Sequence, residues 1–148
     1  MPEPTDPFDL HRFVEAQQSI YDRALAELRA GRKRTHWMWF IFPQIVGLGH
    51  SETAEYYAIK SASEARAYLA HPILGPRLTQ CAESLLAVNG WSASEIFGFP
   101  DDLKLRSSMT LFALFVAAGS VFARVLDRYY DGKPDPRTLQ LLEHLGED

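Results

Sequence analysis

The sequence has a single cysteine, Cys81, among its 148 residues. One cysteine excludes an intramolecular disulfide and any zinc site that needs several thiolates. We expect Cys81 to be a buried small hydrophobic residue, because it falls on the apolar side of a predicted helix. The histidines are scattered, and none forms the helical His-Glu-x-x-His pattern of zinc hydrolases. We therefore expect neither a metal ion nor a cofactor.

Long apolar runs are also missing. No stretch approaches the ~20 apolar residues that cross a membrane, and the longest, 109–118, is far too short. The first residues lack the positive and apolar regions of a signal peptide. The net charge of -4 gives no overall basic surface for nucleic acid or anionic lipid. We expect a cytoplasmic protein whose partners include neither nucleic acid nor a membrane.

What the chain does contain is the composition of one globular domain. Hydrophobic residues make up 47% and charged residues 23%, which excludes a disordered chain. Residues 1–8, acidic and rich in proline, are predicted to be a flexible lead-in. Residues 9–148 are predicted to form a single all-helical domain, because no linker or repeat divides them.

Helix signals recur along the whole chain. We predict an all-α fold, a compact single-domain bundle of about eight or nine short helices around a central apolar helix. The first helix is expected to begin at an Asp9 cap and to end near Ala30. The central helix is expected to begin at Asp101 or Asp102 and to reach Ala118, with an apolar middle that points to burial. Other helix starts are indicated at Ser51, Ser61, Pro72 or Pro76, Ser92, Ser120 and Asp135.

An aromatic run at 36–42 is the first candidate functional element. We predict a short helix here rather than a strand, because a single strand would have no partner, and Pro43 would end it. Trp37 and Trp39 are two residues apart and face different ways on a helix, which would place one in the core and the other beside a cleft. The alternative is that both are core aromatics. His36 is expected to be partly buried, either as an acid or base or bonded to a carbonyl.

The loop that follows is the second candidate element. Gln44, Gly47 and Gly49 precede Ser51, the cap of a predicted helix. Such a loop can bring a ligand close to backbone N–H groups. It lacks the residues of a phosphate-binding loop or a dinucleotide fingerprint, and a plain turn is the alternative.

The third candidate element is the hydroxyl-rich first half of the central helix. Three hydroxyls in four residues are poor helix formers, so helix propensity does not account for them. Helix packing through small side chains is one explanation, and a phosphate or ribose site is the other. Asp101 and Asp102 would repel an anion there. The candidate residues are Lys104, Arg106, Ser107, Ser108 and Thr110.

Four stretches of sequence together resemble one known family. They are His36-Trp37-Met38-Trp39-Phe40-Ile41-Phe42-Pro43-Gln44, Gly47-Leu48-Gly49, Ile96-Phe97-Gly98 and Asp101-Asp102-Leu103-Lys104-Leu105-Arg106-Ser107-Ser108-Met109-Thr110-Leu111-Phe112. The chain resembles domain-of-unknown-function family 1810 over about residues 6–142. The resemblance implies a small, monomeric, all-helical protein, and it implies no activity, cofactor or catalytic residue. The calpastatin-like label of some members would require a disordered inhibitor, which this composition excludes.

Two functional hypotheses follow from the sequence. In the first, the three candidate elements form one pocket for a small polar or aromatic ligand, similar to a nucleotide or ADP-ribose. If that pocket is catalytic, His36, Glu52 or Glu55 would be the acid or base of an N-glycosidic hydrolysis or transfer. In the second, the protein is a protein–protein interaction or regulatory module, with Trp and Arg side chains as anchors.

Overall fold

The computed structural model describes residues 5–145, and the prediction of an all-α fold is confirmed over that range. No helix in this range is long and apolar enough to cross a membrane. Among the same residues, β-structure is limited to an isolated parallel bridge between Ile45 and Ile59. The described residues form ten helices: α1 His11–Gln17, α2 Tyr21–Arg29, α3 Met38–Ile41, α4 Glu52–Tyr57, α5 Ala62–Ala70, α6 Leu74–Ala87, α7 Ala93–Phe97, α8 Asp101–Ala113, α9 Val121–Tyr130 and α10 Pro136–Leu145.

Helix α8 is the predicted central helix. It packs against α5, α7, α9 and α10, and its Leu105, Met109 and Phe112 side chains are fully buried. The prediction that it reaches Ala118 is wrong, because the chain tightens into turns after Ala113 and exposes Leu114. The helix that is surrounded by other helices is therefore Asp101–Ala113.

The predicted first helix is two helices, separated by a turn at 18–20. Gln17 ends α1, and its side-chain Nε2 donates to the Phe40 carbonyl at 2.7 Å. The predicted Asp9 cap is also wrong. Asp6 accepts the backbone N–H groups at the start of α1 instead, at 2.8 and 3.0 Å, while Asp9 has a φ of 53°.

Within the predicted lead-in, Asp6 and Phe8 form hydrogen bonds with residues 9–12. Residues 1–4 lie outside the described residues, as do residues 146–148 at the end of the predicted domain.

Most of the predicted helix caps are present. The side chains of Ser51, Ser92 and Ser120 each accept the backbone N–H three residues later. Ser61 does the same, but Glu64 does not complete its predicted capping box. The Glu64 carboxylate turns into the interior of the protein, where it has other partners.

Candidate functional site

Trp37 and His36 occupy opposite environments. Trp37 is fully buried, and its indole N–H donates to Glu27 Oε1 at 2.9 Å. The prediction that His36 is partly buried is wrong, because its side chain is exposed. Glu27 also accepts the backbone N–H groups of Arg34 and Thr35, which fixes the chain on the N-terminal side of His36. The indole then enters the core and the imidazole faces solvent.

The structure does bring Trp39 and Lys104 together. Trp39 is half-buried, and Lys104 Nζ lies 5.4 Å from the centre of its ring. Asp101 links this pair to the neighbouring one, because its carboxylate is 3.6 Å from Lys104 Nζ and 2.9 Å from Lys33 Nζ. Lys33 Nζ in turn lies 5.2 Å from the Trp37 ring. The first turn of α8 is thus in contact with the aromatic run 36–42 through the side chains of Lys104 and Trp39.

The glycine loop is a packed turn between α3 and α4. A Cβ atom on Gly49 would lie 2.6 Å from Ala54 Cβ, and one on Gly47 would lie 3.0 Å from a leucine side chain of α10. The Gln44 carbonyl accepts a backbone N–H at the isolated bridge. Ser51 Oγ accepts the Ala54 N–H at 3.1 Å. Close packing therefore explains why glycine occupies positions 47 and 49, since a side chain would collide with its neighbours there.

Most of the polar side chains in the first half of α8 form hydrogen bonds with residues 133–135, the segment that precedes α10. Thr110 Oγ1 accepts the Asp135 N–H at 2.8 Å and donates to the Arg106 carbonyl at 2.8 Å. Ser107 Oγ lies 3.1 Å from Asp135 Oδ2. The Arg106 guanidinium donates to the carbonyls of residues 133 and 134, at 2.9 Å each. Both hydroxyls and two of the three guanidinium nitrogens of Arg106 therefore have intramolecular partners.

Ser108 differs from its neighbours. Its side chain is fully buried, and its hydroxyl oxygen is without a hydrogen-bond partner among the described residues. It lies one helical turn after Lys104, but no solvent reaches it. Some of the predicted site residues are thus buried, some are hydrogen-bonded within the protein, and some are exposed. Trp39 and Lys104 are in contact with each other.

Two cavities lie elsewhere, on either side of the Phe8–Asp9 segment. The first has a volume of about 580 Å³ and the second about 520 Å³. None of the residues predicted to bind a ligand lines either cavity. We call the two together the double cleft. Its walls are residues 5–11 with Ala67, Ala70 and His71 on one side, and Phe8, Asp9, Arg12, Glu52, Glu55, Tyr56, Lys60 and Glu64 on the other.

A buried ion pair forms the floor of the second cavity. Arg12 Nη2 and Glu64 Oε2 are 2.6 Å apart, and both side chains are nearly inaccessible to solvent. Glu64 Oε1 also accepts the Lys60 N–H at 2.8 Å. The other Arg12 donors bond to main-chain carbonyls, those of Phe8, Asp9, Tyr56 and Ala58. Every guanidinium N–H is therefore used, and the floor holds the walls in fixed positions.

Unpaired carboxylates project around this floor. The carboxylates of Asp9, Glu52 and Glu55 form neither an ion pair nor a hydrogen bond with any residue in the range 5–145. Lys60 Nζ donates to the carbonyls of Glu55 and Ala58, at 3.0 and 2.9 Å. Burial and the nearby Arg12 charge lower the pKa of Lys60, whereas the carboxylates of Glu64 and Glu55 raise it in part. Acidic side chains outnumber basic ones in the lining of this cavity by four to two.

The first cavity adds imidazole groups. His71 Nδ1 accepts the N–H groups of Ile73 and Leu74 at 3.1 and 3.3 Å, so in the neutral ring the proton is on Nε2. His11 is exposed at the other wall. Within the described range, no group of three or more His, Cys, Asp and Glu side chains is arranged to hold a metal ion.

Sequence reasoning missed most of this cleft. It singled out Glu52 and Glu55 as acids or bases, and it placed Glu64 in a capping box. Arg12 gave no signal, because its partners at Tyr56, Ala58 and Glu64 are 44 to 52 residues away.

The fold and the double cleft define an all-helical domain with an acidic surface cleft. The chain belongs to the family described as "Protein of unknown function (DUF1810)", whose model matches residues 7–142. The resemblance found in the sequence is thereby confirmed. The structure is similar to that of the conserved hypothetical protein Rv1873 from Mycobacterium tuberculosis, with a TM-score of 0.91 and 56% identity over 93% of this chain and 99% of that one. No curated protein matches the chain.

Proposed function

We propose that the protein binds a small organic cation in the double cleft. The observation that carries the proposal is the set of unpaired carboxylates of Asp9, Glu52 and Glu55 around a cavity of about 520 Å³. That volume is within the range of ~300–1,000 Å³ typical of small-molecule sites. A ligand that brings positive charge would compensate these groups, whereas a phosphate would be repelled.

Aromatic rings stand beside the carboxylates. Tyr56 is 53% exposed and stacks edge-on against Tyr57, and Phe8 lies between the two cavities. An ammonium or guanidinium group is attracted to the face of such a ring. The combination of acids and accessible rings favours an amine or quaternary ammonium over a neutral sugar.

The backbone at Asp9, between the two cavities, is held by a hydrogen bond in the absence of a ligand. Asp9 has a left-handed backbone, which costs a non-glycine residue about 1 kcal/mol. The Arg12 guanidinium holds that conformation through the Asp9 carbonyl at 2.8 Å. A backbone fixed in this way loses little conformational freedom on binding, which raises affinity.

The nucleotide-like or ADP-ribose-like ligand expected from the sequence has weaker support. It would require the Trp37 face or the Ser108 hydroxyl to be accessible, and both residues are fully buried. The Thr110 hydroxyl and the Nε and Nη2 atoms of Arg106 already have partners within the protein. The half-buried Trp39 beside Lys104 is the surface on which such a ligand would still bind.

The test is thermal unfolding and titration calorimetry with separate probes. Tyramine and spermidine represent organic cations, and ATP and ADP-ribose represent the phosphate-bearing class. A cation at about 100 times its dissociation constant stabilises the fold by ~2.7 kcal/mol, a clear rise in the midpoint. We expect the rise with a cation, and a smaller one at high salt.

Two variants and one control sharpen the test. Asp9→Asn and Glu55→Gln each remove one charge, and Asn tolerates the left-handed backbone at position 9. Each should weaken cation binding about tenfold. Glu83→Gln removes an exposed carboxylate of α6, away from the cleft, and should leave affinity unchanged. No binding by either cation, or equal loss with all three variants, would overturn the proposal.

A further inference from the structure

A second surface lies where the segment 31–36 runs along residues 91–103. A Cβ atom on Gly31 would lie 3.2 Å from the Trp91 side chain, which places the two in contact. The Lys33 N–H donates to the Ile96 carbonyl at 2.8 Å, and Lys33 Nζ pairs with Asp101. We call this region the seam surface. It shares no residue with the double cleft.

Large apolar side chains are exposed along the seam surface. Phe99 is 81% exposed, Trp91 54% and Leu103 48%. Phe99 is the most exposed large hydrophobic side chain among the described residues. It lies in the sequence between Ile96 and Asp101, the two residues that Lys33 contacts. Single exposed apolar residues are ordinary, but several along one surface mark an interaction site.

Two guanidinium groups on the same surface lack a partner. Arg32 and Arg34 are exposed, and neither forms an ion pair within residues 5–145. None of the nearby acids forms an ion pair with either arginine, and Asp102 accepts the backbone N–H of Leu103. Glu27 is buried under the loop, Asp101 lies between two lysines, and the Glu95 side chain accepts the Ser92 N–H of its capping box. The seam surface therefore presents unpaired positive charge beside aromatic rings.

We propose that the seam surface docks an acidic, apolar-containing segment of a protein partner. Trp and Arg are the residues that most often anchor protein interfaces, and Arg pairs with a carboxylate in a bidentate manner. A nucleic acid would need a continuous row of cations along its phosphates. Here the unpaired cations are few, carboxylates flank them, and the protein is negatively charged overall. A peptide with a few carboxylates and a bulky apolar side chain fits better.

The test uses fluorescence polarisation with three short labelled probes: a peptide of glutamate, leucine and phenylalanine, the same peptide with lysine in place of glutamate, and a single-stranded oligonucleotide. We expect the acidic peptide to bind at least about tenfold more tightly than the other two. Arg32→Gln with Arg34→Gln, and separately Phe99→Ser, should each weaken its binding about tenfold.

The control variant is Arg124→Gln, an exposed arginine of α9, which should leave binding unchanged. Because the substituted side chains are exposed, circular dichroism should show that all variants stay folded. Absence of acidic-peptide binding, binding that survives both seam variants, or tighter binding of the oligonucleotide would each overturn the proposal. Success or failure of the cation titration leaves this result unaffected, since the two surfaces share no residue.

Discussion

The Trp37 indole N–H and the Glu27 carboxylate form a hydrogen bond of 2.9 Å inside the core. Glu27 also accepts from Arg34 N–H at 2.7 Å and from the Thr35 N–H and hydroxyl. Burial of the carboxylate raises its pKa, but these hydrogen bonds outweigh burial and lower the pKa of Glu27 to about 2. One buried charge thus fixes both the core tryptophan and the basic loop before it.

Glu27 makes the stability of the fold depend on pH. Its folded-state pKa of about 2 lies below the ordinary value of 4.5. The carboxylate therefore stabilises the fold above that ordinary pKa, and this contribution is lost as the pH falls towards 2. We expect Glu27→Gln to lower the free energy of unfolding by about 2–3 kcal/mol at neutral pH. Urea unfolding at pH 7, 5 and 3 measures it.

The difference in the free energy of unfolding between the wild type and Glu27→Gln should decrease as the pH falls. The reason is that protonation of the wild-type carboxylate removes its stabilising contribution. Glu83→Gln, an exposed carboxylate on α6, serves as the matched control and should show a gap close to zero throughout. A gap of constant size across the pH range would show that the charge of Glu27 is not what stabilises the loop.

The Arg12–Glu64 pair should be costly to break from one side. Arg12→Met leaves Glu64 buried with its main ionic partner gone and four carbonyls without their donor. We expect a loss of about 3–5 kcal/mol in the free energy of unfolding. Glu64→Leu combined with Arg12→Met should cost less than the sum of the single changes, which a double-mutant cycle measures. Additive losses would mean that the two side chains act independently.

Ser108 and Thr110 should respond in opposite ways to loss of the hydroxyl. Ser108→Ala removes a buried hydroxyl that has no partner, so we expect stability to stay the same or rise by up to about 1 kcal/mol. Thr110→Val keeps the shape but removes the acceptor of the Asp135 N–H, and should cost about 1–2 kcal/mol. Thermal melts of the two variants compare them directly. A stabilised Thr110→Val variant would contradict this assignment.

Cys81 should be inert in the native protein. Burial raises the pKa of its thiol to about 12, and the neighbouring Tyr21 lowers it only in part. At pH 8 the thiol is therefore protonated, and the side chain is also inaccessible. We expect labelling by iodoacetamide to be at least about a hundredfold slower than in urea. Equal rates in both conditions would place the thiol at the surface.

Local signals in the sequence predicted local structure well. The caps at Ser51, Ser92 and Ser120 were found because each hydrogen bond joins residues three apart. The break after Gln17 was not found, because that side chain bonds to Phe40 and Arg77, 23 and 60 residues away. The periodic apolar pattern on both sides of the break is the same for one helix or two.

The candidate site shows the same division. Trp39 and Lys104 were both selected as unusual, and they are in contact. The pairing of Thr110 with Asp135 was not visible, although the same hydroxyl was noticed as out of place in a helix. Residue type signals that a polar group needs a partner, but it does not identify the partner.

The sequence by itself determined the all-α class, the family and most helix starts, because capping bonds and apolar periodicity act within a few residues. The tertiary structure decided which polar residues are exposed. Arg12 entered the interior with Glu64, His36 turned outward, and the carboxylates of the double cleft were left unpaired. Those outcomes depend on contacts between residues tens of positions apart, since a charge can be buried only where the folded chain supplies its hydrogen-bond partners.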